Sequence, residues 1–177
     1  MDNLKEILEK AKSAFGAKDY QTAFEVWKSL AEQRNAEAQF NLGRMYSYGR
    51  GVKENHKKAV KWYQLAGEQG AADAQFNLGL MYYKGQGVDQ DYEEVVKWYR
   101  LSADQGNASA QFNLGVMYYE GQGVGQDSVL AHMWYNLAGS SGNKDSTKNK
   151  KLLEEKMTPQ QIEKAQEMAR NWKATSR

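Results

Sequence analysis

The 177-residue sequence has no cysteine, a single proline, two histidines and almost no net charge. Without cysteine there can be no disulfide framework, thiolate zinc site, iron–sulfur centre or cysteine nucleophile. Lys and Arg number 24 against 22 Asp and Glu, a formal charge of +2. That balance argues against nucleic acid or an anionic membrane as the main partner. No apolar run approaches the ~18 residues a membrane-spanning helix needs, so no membrane insertion is expected. The start, MDNLKEILEKAKSAF, alternates charged and apolar residues and does not read as a signal peptide. The expected location is cytoplasmic if Met1 is the native start, and periplasmic or secreted if a leader was removed. His56 and His132 are 76 residues apart, too far for a shared catalytic or metal site in a stacked array. His56 falls near a loop-to-helix junction and is expected in solvent, and His132 is expected at a surface or partly packed position. No cofactor and no enzymatic activity are expected.

What is present is repetition. The hexapeptide AQFNLG occurs at Ala38–Gly43, Ala74–Gly79 and Ala110–Gly115, 36 residues apart, the signature of a repeat array. Each copy is followed by Met45-Tyr46, Met81-Tyr82 or Met117-Tyr118, then by a glycine pair, then by Trp62-Tyr63, Trp98-Tyr99 or Trp134-Tyr135. Apolar residues fall at helical spacing on both sides of the glycine pair, so each unit reads as two amphipathic helices. The pair, as in Gly85-Gln86-Gly87, suits helix termination and left-handed backbone rather than a nucleotide loop. A dinucleotide loop would need a preceding strand and a third glycine. Gly43, Gly79 and Gly115 lie inside the first helix, where glycine costs about 1 kcal/mol against alanine. A closely approaching neighbouring helix would offset that.

The pattern AxxxLGxMYxxGxGVxxxxxxAxxWYxxAxxQG resembles the Sel1-like repeat, a relative of the tetratricopeptide repeat, of bacterial type. Val95 and Ser102 depart from it at alanine positions. The resemblance implies an all-α fold, a right-handed α/α solenoid forming one domain over residues 1–177. Its Sel1-like repeats are expected at 36–71, 72–107 and 108–143. Residues 3–35 read as a tetratricopeptide-like first pair, because the loop around Gly16 to Tyr20 is four residues shorter than its later counterparts. Residues 144–177 read as C-terminal capping helices. Lys144, Lys148, Lys150 and Lys151 are placed in a linker before a helix containing Leu152, Leu153 and Met157. Thr158-Pro159-Gln160-Gln161 starts the last helix as a capping box with proline at the first position.

In solenoids of this kind the first helices line a concave wall. The resemblance places Glu37, Phe40, Asn41, Arg44, Ser47 and Tyr48 there in the first repeat. The second repeat contributes Asp73, Phe76, Asn77, Leu80, Tyr83 and Lys84, and the third Ser109, Phe112, Asn113, Val116, Tyr119 and Glu120. The asparagines could hold an extended peptide backbone, since an amide both donates and accepts, or bond structurally to neighbouring helix or loop. The phenylalanines either fill the seam between units or form an aromatic strip. Arg44 and Lys84 stand apart and make no strong clamp for a terminal carboxylate. The expected function is a non-catalytic adaptor that binds a protein or peptide in this groove, with the monomer as default. One alternative is the β-lactam binding or hydrolysis associated with some cysteine-rich Sel1-like proteins, which the missing cysteines oppose. The other is a regulatory or assembly subunit acting through its outer face or its lysine-bearing C-terminal cap.

Overall fold

The computed structural model describes residues 2–175, and every regular element among them is an α-helix. The helices are α1 Asp2–Gly16, α2 Tyr20–Glu32, α3 Ala36–Tyr48, α4 His56–Glu68, α5 Ala72–Lys84, α6 Tyr92–Asp104, α7 Ala108–Glu120, α8 Ser128–Ser140, α9 Lys144–Glu154 and α10 Pro159–Asn171. The fold is the all-α helix-pair class that the repeat implies. The chain forms two compact units, Met1–Gln90 with α1–α5 and Asp91–Arg177 with α6–α10.

Local chemistry sets the helix ends. Asn35, Asn107 and Asn143 accept from the backbone N–H three residues on, at the starts of α3, α7 and α9. Asp91 and Asp127 do the same for α6 and α8, each bonding two N–H groups. These caps satisfy donors that the first turn leaves open. Gly49, Gly85 and Gly121 end α3, α5 and α7 in the left-handed conformation, which glycine adopts without a Cβ clash. The turn before α2 is short, spanning only residues 17–19, as the compressed spacing there requires.

Packing in the first unit runs α1 on α2, α2 on α3, α3 on α4 and α4 on α5. Its core gathers Ala11, Ala23, Trp27, Leu30, Ala31, Ala38, Leu42 and Met45. The glycine at the LG step receives a ring: a Cβ at Gly43 would lie 2.7 Å from the Tyr63 ring, and one at Gly115 would lie 2.7 Å from that of Tyr135. Tyr63 and Tyr135 therefore fill the space that Gly43 and Gly115 open, and this contact offsets the helix penalty.

The second glycine of each pair does something the sequence does not announce. A Cβ on Gly51 would meet Tyr20 Cβ at 2.6 Å, on Gly87 the His56 backbone at 2.4 Å, and on Gly123 the Tyr92 carbonyl oxygen at 2.1 Å. Tyr20, His56 and Tyr92 are the first residues of α2, α4 and α6. Each interhelix loop thus sits directly on the start of the second helix one repeat earlier.

In the second unit α6 packs on α7, α7 on α8, and α8 on both α9 and α10. Two expectations are corrected here. The lysine stretch is no linker: α9 begins at Lys144, capped by Asn143, with Ser146 fully buried in the slot of Ala38, Ala74 and Ala110. The cap, the small Ser146 and the buried Leu153 seat a helix that is otherwise mostly polar. His132 is neither at the surface nor partly packed but fully buried, its Nε2 2.7 Å from Oε1 of Glu154 at the end of α9. His56 is partly exposed, 3.3 Å from Glu54. Thr158 and Gln161 form the expected capping box. After α10, Trp172 meets Trp134 edge-on at 6.4 Å and the Thr175 N–H donates to the Asp104 carbonyl at 2.7 Å.

Candidate binding site

The first helices are α3 and α5 in one unit and α7 and α9 in the other, and the 36-residue register assigns their equivalent positions. Arg44, Leu80, Val116 and Leu152 share one, and Asn41, Asn77, Asn113 and Asn149 share another. The last member of each set lies on α9, and Asn149 falls in the stretch that reads as a linker in sequence. The signal was present in the repeat period, but it is masked because lysines replace Phe, Leu and Gly at the three other signature positions.

The asparagines serve the helix itself. Asn41 is buried and its Nδ2 donates to the Glu37 carbonyl at 3.0 Å, while Asn77 Nδ2 donates to the Asp73 carbonyl at 2.7 Å. Both partners lie one turn back on the same helix, not on a neighbouring helix or loop. Asn113 is half-buried. The phenylalanines are half-buried as well, and their ring contacts fall inside a repeat: Phe40 lies 6.0 Å from Tyr63 and Phe112 5.9 Å from Tyr135. Phe76 is half-buried.

The residues that reach solvent are others. Tyr48, Asp73, Tyr83, Lys84 and Glu120 are exposed, and Glu37, Arg44, Leu80, Val116 and Tyr119 are half-buried. Glu37 pairs with Lys12 of α1 at 2.8 Å. Hydrogen bonding to Glu37, then to Glu9, raises the Lys12 pKa. Burial raises the pKa of Tyr63, assisted by Tyr48 and opposed by Ser47 and the Arg44 charge.

In the second unit α7, α8 and α9 enclose a recess of about 170 Å³ lined by Val116, Tyr119, Glu120, Tyr135, Asn149, Leu152 and Leu153. Burial pushes the Tyr135 pKa up to about 12, against the hydrogen bond from Asn149. Leu152 is 50% exposed at the mouth, and Lys156 Nζ donates to the Tyr119 hydroxyl at 3.1 Å. The recess offers apolar walls with a carboxylate and two polar groups at its edge.

In the first unit Arg44 stands among aromatic rings. Its guanidinium lies 5.7 Å from the centres of both the Phe15 and Phe40 rings, and Arg50 lies 5.5 Å from Phe15 and 5.7 Å from Tyr48. Sequence reasoning missed Arg50 and Phe15 because they come from a loop and from the atypical first pair.

A third set was also missed. Gln39, Gln75 and Gln111 are buried, and their Nε2 atoms donate to the carbonyls of Ala31, Gly67 and Ala103 at 3.1, 2.9 and 3.2 Å. Each ties a first helix to the end of the helix before it, which accounts for the invariant glutamine in AQFNLG.

Among the described residues, no cluster of His, Asp and Glu could hold a metal ion, and no helix is long and apolar enough to cross a membrane.

A family model described as Sel1 repeat matches residues 36–70, 72–107 and 108–143. A Sel1 repeat protein from Oxalobacter formigenes superposes with a TM-score of 0.79 at 36% identity, over 82% of this chain and 60% of the other. A protective antigen of uropathogenic Escherichia coli displaying an SLR fold gives a TM-score of 0.65 at 31% identity, over 86% of this chain and 40% of the other. A sel1-like repeat-containing protein of Acanthamoeba polyphaga mimivirus is 54% identical over 39 residues, 22% of this chain and 7% of that protein. The chain therefore spans less than two thirds of the length of each of these relatives.

Proposed function

This chain belongs to the Sel1 repeat family, whose members are generally protein-interaction scaffolds and typically non-enzymatic, and we propose that it is a non-catalytic adaptor that holds a peptide segment or protein surface on its first-helix faces. The supporting observation is where apolar surface remains uncovered. Among the described residues, four large apolar side chains are exposed: Leu4, Tyr48, Tyr83 and Leu152. Three of them, Tyr48, Tyr83 and Leu152, stand on first helices. Leu152 also lines the recess, and uncovered apolar side chains mark an interaction surface more readily than the polar second-helix faces do. Asn41 and Asn77, whose amide N–H groups donate within their own helices, support the wall rather than grip a ligand backbone.

The test is peptide-array binding by the full chain, compared with a Val116→Glu/Leu152→Glu variant at the recess and a Lys61→Glu variant on α4. Loss of binding in the first alone, with helical content unchanged by circular dichroism, supports the assignment. Equal binding by both variants removes the first-helix faces as the site.

A further inference from the structure

Two positions in the first repeat break the internal pattern in the same direction. Arg44 stands where the later repeats have Leu80 and Val116, and Arg50 where they have Gln86 and Gln122. The fold brings both to one ring, Phe15 of α1, with their guanidinium carbons 5.7 and 5.5 Å from its centre. The Arg44 guanidinium also lies 5.7 Å from the Phe40 ring centre, and that of Arg50 5.7 Å from the Tyr48 ring centre. Arg50 and Tyr48 are exposed, and Arg44 and Phe15 are half-buried.

Neither guanidinium has an ion-pair partner among the described residues. The nearest acidic group on α3, Glu37, is held by Lys12 at 2.8 Å. Arg44 makes one long hydrogen bond, to Asn41 Oδ1 at 3.5 Å. Stacking on aromatic rings holds a guanidinium plane in place while leaving its N–H edge free to donate. A planar, oriented donor edge matches a carboxylate better than a flexible ammonium does.

Resting on the adaptor reading above, we propose that the Arg44–Phe15–Arg50 patch selects an acidic partner, a segment carrying Asp or Glu side chains that dock on the two guanidiniums. Charge complementarity decides the occupant. Among the described residues the patch has two positive groups and no ion-paired carboxylate to neutralise them, whereas a basic or purely apolar segment would leave both without a counter-ion.

The experiment uses the full chain and the arginine Nε–H resonances in a nitrogen–proton correlation spectrum. The probes are an acetylated, amidated peptide alternating Glu and Ala, its Gln isostere, and inorganic phosphate, all at one ionic strength. The expected result is saturable movement of the Arg44 and Arg50 signals with the acidic peptide, with the isostere binding about tenfold more weakly, as loss of charge-assisted bonds implies. An Arg44→Gln/Arg50→Gln variant should bind both peptides equally and weakly. The proposal is overturned if wild type does not distinguish the peptides, if the variant keeps the preference, or if phosphate matches the acidic peptide. Peptide-induced shifts at Phe40 and Tyr83 without any at the arginines would overturn it while leaving the adaptor reading standing. Silence at every first-helix residue with every probe would overturn both.

Discussion

Replacing Gly123 by alanine should be far more damaging than replacing Gly142, although both have positive φ, 68° and 89°. For either, an alanine in the left-handed region costs about 1–2 kcal/mol. The stiffer unfolded chain returns about 0.4–1 kcal/mol of that. At Gly142 nothing lies within 4 Å of the added Cβ, so the net loss should stay near 1 kcal/mol. At Gly123 the Cβ would sit 2.1 Å from the Tyr92 carbonyl oxygen and 2.4 Å from its carbon. Those atoms belong to the first residue of α6 and cannot swing aside as a side-chain tip does. Overpacking against them adds about 1–3 kcal/mol, for a total near 3 kcal/mol. In a urea titration followed by tryptophan fluorescence, with m of about 2 kcal/mol/M, the midpoint should fall by about 1.5 M for Gly123→Ala and about 0.5 M for Gly142→Ala. Because repeat arrays can unfold in parts, amide exchange at the start of α6 should accompany the titration and show the loss there first. Midpoints that agree within error would refute the claim that the loop's second glycine exists for close backbone approach.

Four further outcomes follow from the same geometry. Gln39→Leu should lower stability by about 1–3 kcal/mol in the same titration, because the Ala31 carbonyl and the Gln69 amide lose a buried partner. Arg34→Gly should be neutral or stabilising, against the usual trend: Arg34 has φ 65° in the slot that Gly70 fills one repeat later, and differential scanning calorimetry would detect a fall in melting temperature that contradicts this. Glu154→Ala should expose α9 to limited proteolysis by stranding the buried His132, whereas Glu154→Gln, which retains an acceptor oxygen, should be milder. Tyr135, with its pKa raised to about 12, binds its proton more tightly folded than unfolded. Its stabilising contribution is therefore complete below the ordinary tyrosine value near 10 and is lost as pH climbs from there towards 12. Tyr135→Phe should flatten the alkaline fall in stability over that window, and an unchanged pH profile would count against it.

Much of this molecule is readable without coordinates because its information is local or periodic. The Asn and Asp caps, the left-handed glycines after α3, α5 and α7, and the capping box of α10 each depend on a few adjacent residues and the fixed hydrogen-bonding needs of a helix end. The repeat period then defines helix pairs, and the pairs define the family. What failed was whatever depends on a partner far away in sequence. The His132 environment is set by Glu154, 22 residues on. The sequence places the start of α9 only near Leu152 and includes Met157 in it, whereas the helix runs from Lys144 to Glu154, because its lysines hide the Asn143 cap and the small Ser146 at a buried slot. Register placed the wall residues on their helices but not in their surroundings: the same alignment covers a buried Asn41, a half-exposed Leu152 and an Arg44 stacked on rings.

Sequence alone therefore determined that this chain is an array of helix pairs, where each pair begins and ends, and which columns of residues recur. Only the tertiary structure decided which of those columns meet solvent, that a glycine hosts a tyrosine ring and another a carbonyl, and that Arg50 and Phe15 join Arg44. The physical reason is one of range. Hydrogen bonding at a helix end and the 3.6-residue turn act over a few residues, while burial and charge pairing depend on surfaces that come together only when the helices pack.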